Sequence, residues 1–182
     1  MRQAFYFSWF LMILVLDQIS KWYVFEMMLR IGGERRGFLE WLVADMSIYD
    51  VPENMPLFQM IDVTSYFNLV AVWNTGVSFG MLQDSHSFMP VLLTAFAAIV
   101  GLAILIWGMK SRNRLERGAA LLIAAGAIGN AWDRFRFGAV ADFFDFYWGN
   151  FHWPAFNIAD AAIVLGAALL IIYIFTAKTD KV

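Results

Sequence analysis

The 182-residue chain contains no cysteine. Disulfides, thiolate metal sites, cysteine nucleophiles and thiol redox chemistry are therefore excluded, and any part facing an oxidising compartment is held without cross-links. Histidine is nearly absent too: His86 and His152 lie far apart, neither in a metal-ligand motif, so no metal and no cofactor are expected. Charge is thin, at 15% of residues with a formal net charge of -2. No stripe of Lys and Arg is interleaved with polar stacking residues, which argues against a nucleic-acid partner. Repeats, low-complexity tracts and a second domain are also missing, so residues 1–182 read as one domain. What is present is apolar: 61% hydrophobic and 18% aromatic residues, with a mean hydropathy of +0.62. Such a chain is too apolar for an ordinary soluble domain and points to lipid as its solvent.

Four segments have the length of membrane-spanning helices, approximately Ala4 to Met28, Phe88 to Met109, Arg117 to Trp132 and Trp153 to Ala177. The third is short if it ends at Asp133, so it is tilted or runs a little further. The first starts like a signal peptide, but Asp17 and Lys21 follow the apolar stretch and no small-residue cleavage site does, so a retained helix is expected. Lys110, Arg112, Arg114 and Arg117 between the second and third spans, with Lys178 and Lys181 in the tail, place those segments in the cytoplasm. Both termini are then cytoplasmic, and residues 29–87 and 133–152 face the other side. The expected fold is an all-α membrane protein of four spans with a small outer β-cradle.

The long outer segment has two characters. "GGERRGFLEWLVADMSIYDVPENMP" mixes charges with Phe38, Trp41 and Leu42 and suits a short amphipathic helix lying in the interface. "IDVTSYFNLVAVWNTGVSFG" is rich in β-branched and aromatic residues and reads as strands joined by a turn at Asn74 to Gly76. Trp73, Tyr147, Trp148 and Trp153 read as an interfacial belt.

Ionisable groups near hydrocarbon cost roughly 2.5–3.5 kcal/mol each at a helix centre and persist only when paired, wetted or needed. Asp17 and Lys21 share one helix face at i and i+4, where they can pair. Asp133, Arg134 and Arg136 end the third span, which suits interfacial anchors equally well. Asp142 follows, and Asp160 lies about two turns inside the fourth apolar run. The topology puts both aspartates near the outer face, where they can converge across the turn between two antiparallel helices. Two close carboxylates cannot both ionise cheaply, so such a pair shares a proton, as an aspartic protease requires. Asp145 rivals Asp142, and spacing alone does not choose between them. A transporter or proton channel using Asp17, Lys21, Asp142 and Asp160 as a relay is the rival from another class, but it requires titratable groups spread across membrane depth.

Read in order, "LDQISK" (Leu16 to Lys21), "NTGVSF" (Asn74 to Phe79), "GNAWDRFRFGAVADF" (Gly129 to Phe143) and "FNIADAAI" (Phe156 to Ile163) resemble the motifs of lipoprotein signal peptidase, the bacterial signal peptidase II. The resemblance runs from the first helix to the last. It implies an aspartyl endopeptidase of the bacterial inner membrane, active at its periplasmic face. Its substrate would be a prolipoprotein, cut just before a cysteine already carrying diacylglycerol, and membrane lipids would be its other partner. The implied catalytic pair is Asp142 and Asp160. Asn74, Asn130, Arg134 and Asn157 match positions that line the site or hold substrate, Asp17 and Lys21 match the first-helix motif, and Asp133 is grouped with these supporting residues. From the residues alone, Asn74 would pass as a turn former and Asn157 as a helix N-cap. Arg134 beside Asp142 argues against a divalent cation there. The site is complete within one chain, so a monomer is expected. One departure from the family's usual pattern is the long outer insertion, Leu29 to Gln59, and a second is Val77 where Ala is common.

Overall fold

A computed structural model describes residues 2–44, 58–76 and 89–179. Val77, His86, Phe88, Lys181 and the 45–57 part of the insertion lie outside the described residues. The elements run α1 (Arg2–Trp22), a π-helical turn (Tyr23–Leu29), α2 (Phe38–Val43), β1 (Ile61–Thr64), β2 (Phe67–Asn74), α3 (Met89–Lys110), α4 (Arg114–Phe137), β3 (Val140–Trp148), β4 (Phe151–His152) and α5 (Ile158–Thr179). The described residues are thus mostly helical, with one small antiparallel sheet. Among them, two helices are long and apolar enough to cross a membrane, Val91–Lys110 and Ile158–Thr176. Helix α1 carries Asp17 and Lys21, and α4 ends in Asp133, Arg134 and Arg136.

The chain forms two compact units, the first comprising Met1–Asp17, Ala95–Asn130 and Ile158–Val182. Small residues govern this helical unit. A Cβ built at Gly126 of α4 would lie 2.2 Å from the carbonyl oxygen of Ala159, and one at Gly166 of α5 would lie 2.7 Å from that of Ala119. Backbones this close exclude any side chain, which is how apolar helices gain van der Waals contact when the solvent is itself apolar. Phe10, Leu121, Ala124 and Ala125 form the core beside them, with Tyr6, Ile13 and Ile104 packed around it. Phe96, Ile99, Val164 and Phe175 point outward and are exposed, as lipid-facing side chains are.

The second unit comprises Gln18–Thr94 and Ala131–Asn157 and holds the sheet, in strand order β1-β2-β3-β4. The first hairpin turns at Ser65–Tyr66, whereas the sequence suggested Asn74 to Gly76. Ser65–Tyr66 lacks the Asn or Gly that advertises a tight turn. Asn74 and Gly76 instead close the end of β2, where Gly76 sits at φ 78. Strand β3 replaces the plain turn expected after the third span. Helix α4 runs on through Asp133 to Phe137, and Gly138, at φ 72, breaks it and hands the chain to β3. Helix α5 begins at Ile158, not Trp153, so Asp160 lies in its first turn instead of two turns deep. The expected amphipathic helix is present as α2, and Trp41 on it is buried.

Gly126→Ala should destabilise the protein by about 1–3 kcal/mol through overpacking. Gly118→Ala, whose Cβ meets nothing within 4 Å, should be neutral or stabilising through helix propensity. Thermal melts in detergent distinguish the two, and equal melting would contradict the close-approach account.

Candidate active site

Asp142 stands third in β3, opposite Val72 of β2, and is 1% exposed. Two carboxamides hold it. Asn74 Nδ2 donates to Oδ2 at 3.0 Å and Asn157 Nδ2 donates to Oδ1 at 2.7 Å. The Asn74 Oδ1 also accepts the Gly76 N–H at 2.8 Å and so shapes the turn. Arg134 borders that turn: a Cβ at Gly76 would lie 3.6 Å from Arg134 Nη2. Backbone bonds between Phe144 and Phe156 tie the chain before Asn157 to β3, which is why that amide reaches Asp142.

Asp145 is separated from this cluster by strand geometry, since residues three apart on a strand face opposite ways. Asn68 Nδ2 donates to its Oδ2 at 3.0 Å, and His152 Nδ1 lies 2.9 Å from both its oxygens. His152 also stacks on Tyr147 with ring centroids 5.1 Å apart. Trp148 and Trp153 are exposed, as a belt requires, but Trp73 packs against Phe25 and Phe137 at 5.0 and 5.2 Å.

Within the helical unit, Asp160 is half-buried in the first turn of α5, where the helix dipole favours a carboxylate. Asn130 Nδ2 donates to its Oδ1 at 2.7 Å. Asp17 accepts the N–H of Ala159 at 3.0 Å and so caps α5 from α1. Gly129 makes room for it, because a Cβ there would lie 2.9 Å from Asp17 Oδ2. The structure therefore gathers Asp142 with Asn74 and Asn157, sets Arg134 beside the Asn74 to Gly76 turn, and brings Asp160 together with Asn130.

Asp133, Lys21 and Arg136 form a third cluster. Lys21 Nζ lies 2.7 Å from Asp133 Oδ2, and each side chain is 0% exposed. Arg136 Nη2 meets Asp133 Oδ1 at 3.1 Å, and Gln18 Nε2 donates to that oxygen at 2.9 Å. The Ala141 N–H reaches Asp133 Oδ2 at 3.4 Å, next to Asp142. Asp133 and Arg136 are thus buried pairing partners, not surface anchors. The sequence reading missed Gln18, and it missed the buried Glu26–Arg30 pair at 2.6 Å in the π-helical turn. Their i, i+4 spacing was the available signal.

A family model for signal peptidase (SPase) II matches residues 9–176. The lipoprotein signal peptidase of Alteromonas mediterranea is 43% identical over 140 residues, covering 75% of this chain and 76% of the relative. That of Vibrio vulnificus is 40% identical over 144 residues, covering 76% and 86%. Two solved chains described as a bacterial membrane enzyme share the fold. One has a TM-score of 0.68 at 22% identity, covering 98% of this chain and 92% of its own, and the other 0.67 at 23%, covering 94% and 92%.

Removing one partner from a buried ion pair leaves an uncompensated charge. Asp133→Leu, which removes the carboxylate that both Lys21 and Arg136 meet, should therefore cost about 3–5 kcal/mol, and Lys21→Met, which leaves Asp133 paired with Arg136, should cost less. Melting temperatures of the two variants in detergent test this, and equal melting would refute the charge argument.

Proposed function

Because the chain belongs to the signal peptidase II family, whose members are proteases, we propose that it is an aspartyl endopeptidase. It removes the signal peptide from diacylglyceryl-modified prolipoproteins, with Asp142 and Asp160 activating water. The observation that carries this reading is that both aspartates are aimed by carboxamides: Asn74 and Asn157 on Asp142, and Asn130 on Asp160. A carboxamide donor fixes the direction of a carboxylate without cancelling its charge, and so leaves it able to take and return a proton.

The chemistry needs one ionised and one protonated carboxyl group. The ionised group takes a proton from water as the oxygen attacks the scissile carbonyl carbon. The protonated group hydrogen-bonds to the carbonyl oxygen and stabilises the tetrahedral intermediate. Collapse breaks the C–N bond, the departing amine receives a proton, and the pair returns to its starting state. Arg134, beside the Asn74 to Gly76 turn, offers a planar fork of donors to peptide carbonyls or lipid oxygens.

The same reading makes α1, α3, α4 and α5 the four spans of a bacterial inner-membrane protein. Lys110, Arg112, Arg114 and Arg117 hold the α3–α4 connection in the cytoplasm. The end of α4 and the start of α5 then lie at the periplasmic face, with β2 and β3 as the cradle. The enzyme works as a monomer.

Purified protein should cleave a diacylglyceryl-modified prolipoprotein in detergent. Asp142→Asn and Asp160→Asn, each folded by melting analysis, should each lose roughly 10²–10⁴-fold in rate or more. Asp145→Asn should retain most activity. Comparable loss from Asp145→Asn would reassign the pair, and cleavage surviving either of the first two changes would refute the dyad.

A further inference from the structure

The helical unit carries a second site at the opposite end of α4 from Asn130. A groove of about 410 Å³ is lined by Tyr6, Trp9, Gly118, Leu121, Leu122 and Leu165. Gly118 precedes Asn130 by twelve residues, about 18 Å along the helix axis. The lining is apolar, but the chain that leads into α4 beside it is basic. Lys110 at the end of α3, Arg112 in the connection that follows and Arg114 at the start of α4 are exposed; Arg114 shares a face of α4 with Gly118 at i and i+4, and Arg117 immediately precedes Gly118.

Arg117 is held at the mouth. Its guanidinium lies 4.7 Å from the centroid of the Tyr6 ring, and its Nε donates to the Ser111 carbonyl at 3.1 Å, with Nη2 on the same oxygen. The one acid of this turn, Glu116, accepts the Ser111 hydroxyl at 2.6 Å. The segment from Lys110 to Arg117 thus carries four cations and one carboxylate, and Arg117 ties it to the apolar slot through Tyr6.

We infer that this groove is a binding site for an anionic phospholipid of the cytoplasmic leaflet. The slot takes an acyl chain and the arginines at the start of α4 take the phosphate-bearing headgroup, the arrangement by which basic pockets between membrane helices select anionic lipids. A zwitterionic lipid would gain only the slot. A second copy of the chain suits the face poorly, because a two-fold contact would press the four cations against their own copies. The inference rests on the membrane reading above and not on the peptidase chemistry.

The test uses the full chain, delipidated in detergent and titrated with phosphatidylglycerol or phosphatidylcholine under native mass spectrometry. Wild type should retain phosphatidylglycerol about tenfold better than phosphatidylcholine. The double variant Arg112→Gln/Arg114→Gln should lose that preference. Gly118→Leu should lose retention of both lipids, since its Cβ enters open space and Leu is the better helix former, so the variant fills the slot without straining the fold. Prolipoprotein cleavage by Gly118→Leu in detergent should match wild type, which keeps a failure of the peptidase reading separate from a failure of this one. Equal retention of the two lipids by wild type, or wild-type retention by Gly118→Leu, would overturn the proposal. A change in oligomeric mass without a change in lipid would replace it with self-association.

Discussion

The buried pair Lys21 and Asp133 is the constraint on which the sheet-bearing unit depends. Two charges 2.7 Å apart and fully withdrawn from solvent cost several kcal/mol each to desolvate, and only good geometry repays that. The geometry comes from everything around them. Gln18 and Arg136 also meet Asp133, Arg136 donates to the Trp41 carbonyl, and its guanidinium lies 4.2 Å from the Phe137 ring. One carboxylate thus joins α1, α2, α4 and the start of β3. Its bond to the Ala141 N–H extends that order to the residue beside Asp142. A charge cluster of this kind is weak as a source of stability but strong as a specifier of register, because any slip of β3 or rotation of α4 leaves a buried charge unpaired.

The helical unit is specified by volume instead. Gly126 and Gly166 admit the backbones of Ala159 and Ala119, and Gly129 admits the Asp17 carboxylate. The last of these converts packing into chemistry, since Asp17 reaches the Ala159 N–H only because no side chain stands in its way. The cap and the close approach together set the first turn of α5, where Asp160 sits.

The helices were legible in the sequence because runs of about 20 apolar residues have few other uses. Their ends were not. Asp133, Arg134 and Arg136 looked like a boundary because charges usually stop a membrane helix, yet α4 carries them to Phe137, since Lys21 and Gln18 supply partners that linear spacing cannot show. Trp153 looked like the start of α5 because the stretch is apolar, but Pro154 and the bonds of Phe156 to β3 keep it extended until Ile158. β3 itself was announced by its aromatic and β-branched residues and was overshadowed by the aspartates within it. Asn74, Asn130 and Asn157 were singled out through resemblance. Their pairing with particular aspartates came only from the fold.

The buried acids differ in the partners that the structure gives them, and Asp145, held by Asn68 and His152, combines a carboxamide with an imidazole. Glu26 and Asp133 face Arg30, Lys21 and Arg136, and such acids hold structure, because an ion pair in hydrogen-bond contact fixes the elements that carry its two halves. Asp142 and Asp160 are aimed by the carboxamides of Asn74, Asn157 and Asn130. A carboxamide has no charge to defend, so it can keep a carboxyl group in place through both halves of a proton-transfer cycle. On the function proposed above the protein uses both arrangements: ion pairs to hold polar backbone in register where water is scarce, and carboxamide-aimed acids to act on the water admitted.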